Sequence, residues 1–92
     1  MPQAIDGGAI AVNSTPQQIG GGAMTSVTIR NASPSNSVWV LPKSNVSSLT
    51  GFEIPAGVVQ GFEGAGNWAS TWYIVSAAGQ TADARWFGVY TV

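Results

Sequence analysis

Acid–base or nucleophilic chemistry on this chain would have to come from its carboxylates. Histidine and cysteine are both absent. That removes the commonest general base near neutral pH, the commonest metal ligand, thiolate zinc sites and any Ser-His-Asp arrangement. Glu53 and Glu63 are the pair whose positions invite a test, since two carboxyls about 5–9.5 Å apart can hydrolyse a glycosidic bond. Both stand near turn-forming residues on a chain with few charges, where a solvated carboxylate is the expected state. The glycines offer no phosphate site. Gly20-Gly21-Gly22 is not followed by Lys-Ser or Lys-Thr, and no glycine run has dinucleotide-binding spacing. The residue types therefore predict no catalytic residue, no metal and no cofactor, and a chain that is not an enzyme.

Binding chemistry has better material. Trp39, Trp68, Trp72 and Trp86 are four tryptophans in 92 residues, and tryptophan is enriched at binding hot spots because it buries a large area. Trp39, Trp72 and Trp86 fall in predicted strands, where filling a small core accounts for them. Trp68 follows Gly64-Ala65-Gly66-Asn67, a loop by composition, and is the leading candidate for contact with a partner or for stacking on a sugar ring. Arg30 and Arg85 also lie in predicted strands. Each is expected to face solvent or to pair with a nearby carboxylate such as Asp83, an exposed pair contributing about 0–1 kcal/mol.

Charge restricts the partners. Only 8% of residues are charged, with a net charge of −1, against about 25% in a typical domain. The three basic residues, Arg30, Lys43 and Arg85, are too few and too scattered to displace phosphate counterions or to form a polybasic membrane patch. Neither a nucleic acid nor a membrane is an expected partner. A surface of Ser, Thr, Asn, Gln and Gly is cheap to desolvate, and near-zero net charge favours association. Work within an assembly is the expectation, with a neutral Ser/Thr-rich monomer as the alternative. The N-terminus, with Pro2 and Asp6 and no basic or continuous apolar run, does not read as a signal peptide. No stretch reaches the ~18 apolar residues that span a membrane.

The elements that position these residues read as strands. Thr25, Val27 and Ile29 alternate with Ser26, Thr28 and Arg30, the period of a half-buried strand. Asn31-Ala32-Ser33-Pro34-Ser35-Asn36 is a turn cluster. Val38 to Leu41 forms a strand stopped by Pro42. Val46 and Leu49 are expected inward anchors of the polar stretch 44–51. Phe52 to Ile54 is a short strand ended by Pro55-Ala56-Gly57, and Val58 to Phe62 is another. Thr71 to Val75 is the strongest strand by β-branched and aromatic content. Ala82 to Val92 alternates, with Asp83, Arg85, Phe87 and Val89 on one face and Ala84, Trp86, Gly88 and Tyr90 on the other. No helical period persists. Short strands with turns every 8–12 residues predict a single all-β domain, a small antiparallel β-sandwich or barrel. Residues 24–92 form its body. Residues 1–23, rich in glycine, are either a first strand, with strand potential at Ala9–Val12 and around Ile19, or a flexible arm that orders on a neighbour.

A resemblance narrows the function. Thr15-Pro16-Gln17-Gln18-Ile19 followed by Val27-Thr28-Ile29-Arg30-Asn31 resembles the opening of small bacteriophage virion proteins. Val38-Trp39-Val40, the turn Thr50-Gly51-Phe52-Glu53-Ile54-Pro55-Ala56-Gly57, the strand Trp72 to Gly79 and the closing strand Ala82 to Val89 follow in the same order. The likeness covers about residues 15–90. It departs at Leu41-Pro42, where a glycine is usual, and in its tryptophan content. What the resemblance implies is a non-enzymatic β-sandwich of the capsid decoration (cement) or accessory structural type, made in the bacterial host cytoplasm and carried on the virion. Its partners would be the major capsid protein and other copies of itself, as a homo-oligomer such as a trimer. Contacts to the shell or a neighbour are then assigned to Trp68, to Ile10, Val12 and Ile19 of the N-terminal segment, and to Trp39. The alternative is a tail, fibre or baseplate accessory, or a host-surface carbohydrate-binding module.

Overall fold

The computed structural model describes residues 3–63 and 69–91. They form eight strands and no helix: β1 (Gln3–Val12), β2 (Gln17–Met24), β3 (Ser26–Asn31), β4 (Val38–Leu41), β5 (Phe52–Ile54), β6 (Val59–Glu63), β7 (Ser70–Ser76) and β8 (Ala82–Thr91).

Pairing follows one rule. The first strand pairs with the last, the second with the seventh, the third with the sixth and the fourth with the fifth, all antiparallel. The chain is thus one long hairpin of strand pairs, doubled back at the connection between β4 and β5. The hairpin then rolls up. β3 pairs with β8, and β4 with β7, giving one sheet in the order β1-β8-β3-β6 and a second in the order β2-β7-β4-β5. An all-β sandwich of two four-stranded antiparallel sheets results, with the strand order of the jelly roll.

Side-chain alternation decides which face of each strand is inside. Val27, Ile29 and Asn31 of β3 face Ile19, Val38, Val40, Ile54, Trp72 and Ile74 of the second sheet across a continuous core. On β8 the expected division of faces holds: Ala84 and Gly88 are buried and Trp86 and Tyr90 half-buried, while Arg85 and Phe87 are exposed. Phe62, at the open side of the sandwich, contacts Phe52 edge-on at 5.4 Å and Trp72 at 5.3 Å between ring centroids. These rings link the edge strands of the two sheets.

Of the two readings of residues 1–23, arm or first strand, the structure has strand. Residues 3–12 pair along the whole of β8, and residues 17–24 pair with β7. The glycine run Gly20-Gly21-Gly22 is a bulge in β2, marked by a register shift between Ile19 and Met24. Gly20 adopts φ +75° and lies against the Tyr90 hydroxyl, and the Gly21 N–H donates to that hydroxyl at 3.0 Å. A side chain at Gly20 would clash there and be strained by its backbone. Of the run, only Gly20 is required by packing on Tyr90; a side chain at Gly21 or Gly22 would meet open space.

Leu49 is a correction. Val46 is buried, though outside the central core cluster, but Leu49 is 94% exposed. Ser47 organises a tight turn, its carbonyl accepting from the N–H groups of Thr50 and Gly51 and its hydroxyl accepting from the Leu49 N–H. Leu49 is therefore at the tip of the turn, whereas Gly51 lies close against Trp39 and Val46.

Candidate functional site

Four connections meet at one end of the sandwich: 13–16 between β1 and β2, 32–37 between β3 and β4, 55–58 between β5 and β6, and 77–81 between β7 and β8. Asn31 anchors this end. It is fully buried, and its side-chain amide donates to the carbonyls of Asn36 at 2.8 Å and Ile54 at 2.9 Å. Its side-chain oxygen accepts from the Ser33 N–H at 3.0 Å. Its backbone bonds to Val58 and Gly57. One asparagine thus ties the end of β3 to the next loop and to the β5–β6 turn. Asn36 carries the network onward, its amide donating to the Thr81 carbonyl at 2.7 Å. The Ser33 hydroxyl accepts from Asn36 N–H at 3.1 Å. The Asn13 carbonyl accepts from Ser76 N–H at 2.8 Å. Turn residues that sequence reading treats as loop formers are here a rigid polar framework.

Between the β1–β2, β3–β4 and β7–β8 connections lies an open cleft of about 520 Å³, whose polar lining comes from Asn13, Ser33, Ser35, Asn36, Thr81 and Asp83. Hydroxyls, amides and one carboxylate line it, and that carboxylate is paired with Arg85. Such a lining can hydrogen-bond a neutral polar ligand or a loop of another protein.

The expected contact residues do not converge on it. Val12 and Ile19 are buried at 1% and 0% exposure, which corrects their assignment as contacts: both are core residues, because β1 and β2 turn these side chains inward. Ile10 is half-buried and packs against the same core. Trp39 lies on the outer face of the second sheet, opposite Glu53 and Val75, half-buried near Val46 and Gly51. Trp68 lies outside the described residues. Trp72 and Trp86 belong to or abut the core. Glu53 and Glu63 stand on the outer faces of different sheets, Glu53 accepting from the Ser37 hydroxyl at 2.7 Å. They make no catalytic pair. Among the described residues no group of three or more acidic, histidine or cysteine side chains could hold a metal.

Sequence reading missed the cleft because its lining comes from three separated connections, none of which carries a binding motif. The one available signal was the density of Asn and Ser between Asn31 and Asn36. No family model matches the chain, and no curated protein matches it.

Proposed function

We propose that this chain is a bacteriophage structural protein, a capsid decoration protein that binds and stabilises the assembled head shell. The observation that carries the reading is the strand order, β1-β8-β3-β6 over β2-β7-β4-β5, an arrangement used by viral capsid domains. Fold alone does not assign function. It is joined here by the ordered resemblance along residues 15–90 and by a surface with only 8% charge. Many copies can pack at high density on a shell when little charge separates them. The contacts come from the loop ends and sheet faces, because residues 3–12 and 17–24 are already committed to the two sheets.

Co-sedimentation with empty shells of the major capsid protein from the same genome tests this. Saturable binding at a fixed ratio to shell subunits is expected. Absence of binding to intact mature shells overturns it.

A second reading has its own observation. The cleft lined by Asn13, Ser33, Asn36 and Thr81 suits a hydrogen-bonding polyol, and lectin domains share this strand order. A host-surface carbohydrate module on the tail or fibre would use it. A glycan array decides: binding that Thr81→Val or Asn36→Ala abolishes favours this reading, and an array without signal removes it.

A further inference from the structure

The outward face of the sheet β1-β8-β3-β6 carries side chains that neither the core nor the cleft uses. Its middle row runs through Phe87 and Thr28 and has glycine at both ends, Gly7 on β1 and Gly61 on β6. On one side of that row, Arg85 and Arg30 stand directly opposite each other on neighbouring strands, and the row ends at Val59. On the other side the row passes through Val89 and Ser26 to Glu63. Ile5, Val59 and Phe87 of this face are 74%, 57% and 53% exposed, three of the six exposed large hydrophobic residues among those described.

This face also concentrates charge. Arg30, Arg85, Glu63 and Asp83 are four of the chain's seven charged residues. Like charges directly opposite destabilise a sheet. Asp83 pairs with Arg85, while Arg30 and Glu63 form no salt bridge among the described residues. With Arg85 offset by Asp83, the face carries the cation of Arg30 on one side of the Phe87–Thr28 row and the carboxylate of Glu63 on the other.

That order is self-complementary. A two-fold axis lying along the Phe87–Thr28 row would lay Arg30 of one copy over the Ser26–Glu63 row of the other, twice, and bring Phe87 against Phe87. An isologous contact of this kind requires one patch to complement itself. Gly7 and Gly61, at the two ends of the row, add no side chains that would hold two sheets farther apart than the usual spacing of about 10 Å. We propose that the outer face of β1, β8, β3 and β6 is a homodimer interface, closed by Phe87 at its centre and by reciprocal Arg30–Glu63 pairs. The face is about 20 Å on a side from strand spacing and rise. Two such faces bury on the order of 800 Å² in total, below the roughly 1,200 Å² at which stable interfaces begin, so the dimer is weak and exchanges with monomer, and the contact gains strength when copies are held on a common surface. The inference deepens the decoration reading by naming the surface through which copies meet.

Sedimentation equilibrium of the full chain over a wide concentration range tests it, with circular dichroism confirming that each variant is folded. The expected result is a reversible dimer weakened at least about tenfold by Arg30→Glu and by Glu63→Arg, since each sets like charges face to face. The double variant R30E/E63R should regain the dimer, and Phe87→Ser should lose it. A chain that stays monomeric at every concentration overturns the proposal. So does a dimer indifferent to R30E and F87S, or a monomer whose Arg30 instead binds polyglutamate, which would assign the face to an acidic partner. Shell binding is scored separately. A monomer that decorates shells removes this interface and keeps the proposed function, whereas an R30E-sensitive dimer that binds no shell does the reverse.

Discussion

The sulfur of Met24 occupies the space above Gly88 where a β-carbon would stand. Met24 closes the bulged end of β2, and Gly88 is the position on the inner face of β8 that admits it. The two sheets meet there with no room for a larger residue. Gly88→Ala should therefore destabilise the fold by roughly 1–3 kcal/mol through overpacking. Met24→Ala alone should cost about 2–5 kcal/mol. In the double variant the costs should fall short of their sum, because the alanine at position 88 fills space that the methionine has left. Urea denaturation of the three variants measures the coupling.

Asn31 commits both side-chain N–H groups at the loop end, donating to the carbonyls of Asn36 and Ile54, and its oxygen accepts from the Ser33 N–H. Asn31→Ala should cost roughly 2–4 kcal/mol, because buried backbone groups lose their partners. Hydrogen exchange should show the loss concentrated in residues 32–37 and 54–58. Uniform loss across both sheets would mean that Asn31 supports the core rather than the loop end.

Val46 and Leu49 are three residues apart and differ in burial, 3% against 94%. Leu49→Ser should change stability by less than about 0.5 kcal/mol. Val46→Ala should cost about 1–2 kcal/mol by removing buried apolar surface near Trp39. Thermal melts of the two variants check the contrast, and the Val46→Ala spectrum should show Trp39 emission shifted to the red.

Arg85 and Asp83 form an ion pair, each side chain half exposed. Asp83→Asn should cost no more than about 1 kcal/mol, and the difference should vanish at high salt. A larger, salt-independent loss in chemical denaturation would show that the carboxylate carries a structural load at the cleft.

Much of the strand pattern was legible. Val27 and Ile29, Val38 and Val40, and the alternation from Ala82 to Tyr90 have the period of half-buried strands, and the structure uses that alternation to set the inner and outer faces. Residues 3–24 were harder to read, because Gly7, Gly8 and Gly20 to Gly22 carry no side chain from which a period could be read. Gly7, Gly8 and Gly20 pack against Trp86 or Tyr90, which are more than sixty residues away in sequence. Val12 and Ile19 were misassigned for the same reason: an apolar residue in a strand looks the same whether its partner is the chain's own core or another molecule.

By itself the sequence determined the chemistry available and the class of fold. The chain has no histidine or cysteine and three basic residues, and this inventory of functional groups does not depend on conformation. Period-two patterning likewise follows from strand geometry alone. Only tertiary structure decided which strands pair, that Asn31 and Asn36 build a rigid cleft, and that Arg30 meets Arg85 beside Phe87. Those relationships join residues far apart along the chain, and register between strands is set by how both sheets pack over the shared core.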